Sequence, residues 1–138
     1  MGLSHQFILD VYVKEIRSIL EYNVPLWNGS LTQKDSQKIE KIQKIVLKLL
    51  LKGGYTSYTD ACKLFNIEKL YMRRQKLSLN FARKEYKKSQ NGIFKKIHSR
   101  SKRSMNKKLV FEPMARTMRY YNSAIPYLSR LLNSHNVK

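Results

Sequence analysis

The sequence predicts an all-α or nearly all-α fold: a bundle of four to five helices with a basic loop and a short C-terminal helix. Three observations carry that expectation. Apolar residues recur at spacings of three and four through most of the first 88 positions, which is the period of a helix face. Two of these runs open on Thr or Ser with Asp three residues on, a helix-start signal, and Gly, Asn and Pro stand where they end. The one candidate strand, Leu109, Val110 and Phe111, is too brief to build a sheet, although it could pair with residues 117–121. A chain of 138 residues with 42% hydrophobic and 11% aromatic content is long and apolar enough to fold around a modest core.

In chain order, Ser4 can cap a first helix with a broad apolar stripe of Phe7, Ile8, Val11, Tyr12, Ile16, Ile19 and Leu20. Asp10 is placed to pair with Lys14 one turn later. Pro25 has no amide hydrogen and biases Val24 away from the α region, so this helix should stop near Tyr22. Asn28, Gly29 and Ser30 then turn the chain. Thr32 and Asp35 open a second helix that puts Ile39, Ile42, Val46, Leu49 and Leu50 on one face and Lys34, Lys38, Lys41, Lys44, Lys48 and Lys52 on the other. Gly53 and Gly54 should end it, supplying a residue that tolerates positive φ.

Ser57 and Asp60 repeat the capping signature before a short helix with Ala61, Leu64 and Phe65, ended by Asn66. Tyr55 and Tyr58 at its entrance can either stack on bases or close the end of the bundle. A fourth helix is expected over about residues 68–88, with Leu70, Leu77 and Phe81 on one face. Residues 89–108 have few apolar side chains and no acid, the composition of a mobile basic loop. A last short helix over 127–132, carrying Leu128, Leu131 and Leu132, should fold back on the first two. The expected organisation is therefore a helical bundle over 1–88, a flexible basic loop over 89–108 and a C-terminal segment over 109–138 that packs back on the bundle.

Net charge is +19, from 28 Lys and Arg against 9 Asp and Glu. Residues 69–108 hold 15 of the cations and a single acid, Glu85, so most of the excess is concentrated there. So cationic a chain repels itself unless a polyanion is near, which makes nucleic acid the expected partner. No apolar run approaches a membrane span, and Asp10, Lys14 and Glu15 interrupt the N-terminal stretch where a secretory signal would be apolar. An intracellular location, nuclear or cytoplasmic, is expected, with neither a membrane nor a small-molecule partner.

Catalytic chemistry has no visible site. There is no Asp pair to hold two metal ions at a reacting phosphate, and Gly53 and Gly54 lack the context of a phosphate-cradling loop. Cys62 is the only cysteine, and His5, His98 and His135 are scattered, so no metal set or cofactor is expected. The candidate nucleic-acid-binding residues are instead cations: Lys41, Lys44 and Lys48 on the second helix, Arg73, Arg74 and Lys84 on the fourth, Lys102 and Arg103 in the loop, and Arg116 and Arg119 beside Tyr120 and Tyr121. Each set has a plain alternative as a solvated helix face or as packing at a helix end.

Tyr12, Ile16-Arg17, Leu20-Glu21-Tyr22, Pro25-Leu26-Trp27 and Ile39-Glu40-Lys41-Ile42-Gln43-Lys44 stand in an order and spacing that resembles the segment following the polymerase palm in reverse transcriptases of non-LTR retrotransposons. The likeness continues through Arg73-Arg74 and closes with Arg116-Thr117, Tyr120, Asn122-Ser123-Ala124-Ile125-Pro126 and Leu131-Leu132-Asn133, so it spans nearly the whole chain. It implies a thumb-like, post-palm piece of an RNA-directed DNA polymerase that grips RNA or an RNA-DNA duplex without being an enzyme in isolation. It also implies a palm directly upstream of Leu3, a chain cut at its N-terminus, and a separate palm-bearing polymerase chain as a candidate partner. Two other expectations stand beside it: a protein-interaction module whose apolar stripe meets a partner, and a free-standing basic nucleic-acid-binding protein derived from a retroelement.

Overall fold

A computed structural model describes residues 4–88, 92–97 and 108–135. The fold among them is all-α, with no strand; the helices are α1 (His5–Val11), α2 (Arg17–Glu21), α3 (Val24–Trp27), α4 (Gln33–Leu51), α5 (Tyr58–Leu64), α6 (Leu70–Lys87), α7 (Met118–Tyr121) and α8 (Ala124–Ser134). They fall into two compact units, one of Met1–Tyr22 with Leu31–Arg74 and one of Asn23–Ser30 with Gln75–Lys138. The boundary lies inside α6, which gives its first residues to one unit and the rest to the other.

The local start signals form as the sequence predicts. Ser4 accepts the Phe7 amide hydrogen, Thr32 that of Asp35 and Ser57 that of Asp60, each satisfying a donor that the helix itself cannot. Thr32 and Ser57 also donate their hydroxyls back to the carboxylates of Asp35 and Asp60. The first helix ends at Glu21, and Asn23 takes the left-handed conformation at φ 50°. Pro25 does not merely break the chain there. It sits in the first turn of α3, where a missing N–H costs nothing.

Four expectations change. Between α1 and α2, Tyr12–Ile16 forms a π turn in which the Arg17 amide reaches back five residues to the Tyr12 carbonyl. The face that carries buried Tyr12 therefore continues at Arg17 and Glu21, and Ile16 and Ile19 of the expected stripe are exposed. Asp10 accepts from Gln6 at 2.9 Å rather than meeting Lys14. At the end of α4 it is Lys52, at φ 45° and ψ −120°, that takes the positive-φ position, while Gly53 and Gly54 follow in a 3-10 turn with negative φ. Finally, residues 109–111 pair with 95–97 and not with 117–121: Lys96 and Val110 form an isolated antiparallel bridge, flanked by Ile97 N–H to Leu109 O at 3.1 Å and Phe111 N–H to Lys95 O at 2.8 Å. Part of the expected basic loop is thus tied down, while residues 89–91 and 98–107 of it lie outside the described residues.

The first unit is centred on Tyr12, Leu47, Leu50, Ala61, Cys62 and Ile67. The second gathers Ala82, Phe94, Val110, Leu128 and Leu132, and within it α8 lies against α3 and the 3-10 turn Asn28–Ser30. Gly29 makes that approach possible: a Cβ there would stand 2.5 Å from Cγ and 2.6 Å from Cβ of Tyr127. Asn28 completes the joint by donating to the Tyr127 hydroxyl at 2.8 Å. Asn133, buried on α8, holds the 108–112 segment as another strand would. Its Oδ1 accepts the amides of Leu109 and Val110, and its Nδ2 donates to the Val110 carbonyl and to Glu112.

Candidate nucleic-acid interface

The face that α4 turns inward is offset by one residue from the face its aliphatic spacing predicts. Glu40, Gln43, Leu47 and Leu50 are buried, whereas Ile42, Ile45 and Leu49 are exposed, Leu49 by 64%. A polar chain makes the difference. Tyr12 donates its hydroxyl to Gln43 Oε1 at 2.7 Å, Gln43 Nε2 donates to the Tyr58 hydroxyl at 3.0 Å and to the Glu68 carbonyl at 3.1 Å, and Tyr58 donates to Glu40 Oε1. The Glu40 carboxylate then accepts the amides of Leu70 and Tyr71, both at 3.1 Å. These are orphan donors at the start of α6, and a carboxylate there also meets the positive end of the helix dipole.

Ile42 and Leu49 of the predicted face are therefore displaced to the surface by side chains that can cap a second helix. Burial, reinforced at Tyr58 by the Glu40 carboxylate, pushes the Tyr12 and Tyr58 hydroxyls well above the ordinary tyrosine range, so both stay neutral donors. Burial likewise raises the Cys62 thiol, which packs beside Gln43. Of the two roles open to Tyr55 and Tyr58, the structure gives Tyr58 a place in this network at the end of the bundle.

With Glu40 turned inward, the outer side of α4 carries Lys34, Lys38, Lys41, Lys44, Lys48 and Lys52, all exposed. Lys38 is paired with Asp35 at 3.1 Å. Lys44 lies 5.2 Å from the Tyr58 ring centre and Lys48 5.2 Å from that of Tyr55, so two aromatic faces hold these ammonium groups at the surface. Lys69 joins Lys44 over Tyr58, at 5.8 Å. Lys41, Lys44 and Lys48 thus form one exposed row at spacings of three and four.

Arg73 and Arg74 are placed otherwise. Arg74 is 2% exposed and donates to Ser36 within the first unit, so its guanidinium presents no surface to a phosphate. Arg73 is bonded to Glu21, which Arg17 also approaches at 3.7 Å. Glu21, brought inward by the π turn, supplies Arg73 with a counter-charge that a reading of α6 alone does not reveal.

In the second unit Lys84, Arg116 and Arg119 are exposed. Tyr120 and Tyr121 are partly exposed rather than core, and the Tyr121 ring is covered by Arg130, whose guanidinium carbon lies 3.6 Å from its centre. Lys102 and Arg103 lie outside the described residues.

The acids are largely spent on internal structure. Besides Glu21 and Glu40, Glu85 holds Lys88 at 2.6 Å, and Glu112 is bound by Asn133 and by Lys108 at 3.2 Å. The Asn133 bond and Lys108 hold the Glu112 carboxyl below its usual range. With 28 Lys and Arg against 9 acids, the cations outnumber the anions that could pair with them, which is the electrostatic condition for binding a polyanion. Among the described residues no group of three or more His, Cys, Asp or Glu could hold a metal ion, and no helix is long and apolar enough to cross a membrane. No family model, no curated protein and no solved structure matches this chain.

Proposed function

We propose that this chain is a non-catalytic binding module that grips RNA or an RNA-DNA duplex through its phosphates, as the thumb does in the non-LTR reverse transcriptases that its sequence resembles. The observation that carries this reading is the row of Lys41, Lys44 and Lys48, exposed on the outer side of α4 while the acid of the same segment, Glu40, faces inward. Ammonium groups at this spacing neutralise phosphates and release counterions, giving affinity that is largely blind to base sequence. Arg73 and Arg74 contribute to the stability of the module and not to its contacts.

Fluorescence anisotropy with a labelled RNA-DNA duplex tests this reading. Tight binding at low salt that weakens steeply as salt is added, for any base sequence, is the expected result; a duplex left free at low salt overturns it. A second reading is favoured by Ile42, Ile45 and Leu49, whose exposed side chains share the outer side of α4 with the lysines. Such a mixed face suits an amphipathic acidic helix of a protein partner, including a palm-bearing polymerase chain. Co-purification with such a partner, together with weak duplex binding, would favour that reading.

A further inference from the structure

The second unit contains a cleft of about 270 Å³ lined by Arg83, Tyr86, Lys87, Leu109, Leu132 and His135. Arg83, Tyr86 and Lys87 stand at i, i+3 and i+4 on α6 and so share one face, while Leu132 and His135 come from the end of α8. Leu109 is fixed from behind, since its amide is held by Asn133 Oδ1 at 2.9 Å. No acid lines the cleft. The two acids that flank it in sequence, Glu85 and Glu112, are taken by Lys88 and by Lys108 with Asn133. Among the described residues neither Arg83 nor Lys87 is in an ion pair, and Lys96 adds a further ammonium 5.1 Å from the Tyr86 ring centre.

We propose that this cleft holds one unpaired nucleotide, with its phosphate on Arg83 and Lys87 and its base against Tyr86, Leu109 and Leu132. Its volume is at the small end for ligand sites, which suits a single nucleotide, and it exceeds what a bare phosphate fills. Against the leucine walls the flat ring is held by stacking and dispersion, contacts open to any base. Guanidinium and ammonium on adjacent turns of one helix suit a single phosphate group. The inference rests on the nucleic-acid reading above and adds to it a place where a single-stranded end or a flipped nucleotide is retained.

The test is a titration of the isotopically labelled full chain with adenosine 5′-monophosphate, adenosine and inorganic phosphate, followed by amide NMR. The nucleotide should shift the resonances of Arg83, Tyr86, Leu109, Leu132 and His135 saturably, with adenosine and phosphate each binding at least about tenfold more weakly. Arg83→Ala combined with Lys87→Ala should weaken the nucleotide by a similar factor with the rest of the spectrum unchanged. Tyr86→Leu, which keeps the wall apolar, should weaken the nucleotide and adenosine but not phosphate. Equal affinity for nucleotide and phosphate, or shifts confined to other residues, overturns the proposal. Duplex titration of the parent chain separates the two readings: nucleotide binding in the cleft with no duplex binding sinks the duplex role alone, and duplex binding without the cleft shifts sinks the pocket alone. Lys41→Gln with Lys44→Gln and Lys48→Gln should weaken the duplex and leave the cleft shifts as in the parent.

Discussion

The carboxylate of Glu40 on α4 accepts the backbone N–H of Leu70 at 3.1 Å, thirty residues along the chain, and so supplies the start of α6 with a cap its own sequence lacks. With the bonds of Tyr12, Tyr58 and Tyr71 it sets which face of α4 turns inward. Glu40 and Gln43 lie inward, and the lysine row and the aliphatic ridge of Ile42, Ile45 and Leu49 are left outside.

Removing this cap should cost much of the first unit's stability. Glu40→Ala removes the acceptor of the buried Leu70 amide and of the part-buried Tyr71 amide and Tyr58 hydroxyl, a loss of about 3 kcal/mol. Glu40→Gln keeps one acceptor oxygen and should lose about half as much. Urea denaturation of the two variants against the parent chain checks both the size and the order.

The glycines are predicted to differ sharply. Gly29→Ala drives a methyl group into Tyr127 and the Asn122 carbonyl and should destabilise the second unit by about 2 kcal/mol or more. Gly53→Ala and Gly54→Ala meet nothing within 4 Å and need no positive φ, so each should be neutral or stabilise by up to about 1 kcal/mol. Lys52→Gly relieves the positive φ and should raise the melting temperature. Thermal denaturation of the four variants in parallel reads all of these.

Cys62 should report on the opening of the first unit. Its buried thiol has a raised pKa, so the reactive thiolate is scarce in the folded chain at neutral pH. Labelling by a thiol reagent should be slow without denaturant and accelerate along the unfolding curve of Glu40→Ala before that of the parent. Rapid labelling of the native parent would contradict the placement of Cys62 in the core.

Glu112 should make the second unit sensitive to acid. Its folded pKa is lowered, first by the hydrogen bond from Asn133 and also by Lys108. Its stabilising contribution is therefore complete above the ordinary value of 4.5 and is lost as pH falls through the lower folded value. Glu112→Gln should flatten stability against pH in that window. Asn133→Leu should do so too, and should also destabilise at neutral pH by about 2 kcal/mol, because the Leu109 and Val110 amides lose their acceptor.

The helix starts at Ser4, Thr32 and Ser57 were legible because capping is settled within three residues. All-α character was equally legible, since most of the chain repeats at a helical period. The facing of α4 was not. Its aliphatic spacing points to Ile39, Ile42 and Leu49, but Glu40 and Gln43 are drawn inward by partners 15 to 31 residues away in sequence, and no window of α4 contains those partners. The surroundings of Arg73 and Arg74 were hidden for the same reason, because Glu21 and Ser36 reach them from earlier helices. The π turn hides likewise: one extra residue between Tyr12 and Arg17 leaves no mark in composition, yet it rephases everything after it. Lys41, Lys44 and Lys48 are exposed as the sequence predicts because lysines, costly to bury, stay outside wherever the helix turns.

The salt dependence of duplex binding tests the central claim most directly, measured for the parent chain, for Lys41→Gln with Lys44→Gln and Lys48→Gln, and for Arg73→Gln. If the α4 row carries the phosphate contacts, the triple variant should make the negative slope of log affinity against log salt shallower by about 3, roughly one per lost contact, while Arg73→Gln lowers stability and leaves the slope as in the parent. A triple variant with the parent's slope, or a slope made shallower by Arg73→Gln alone, would contradict the account.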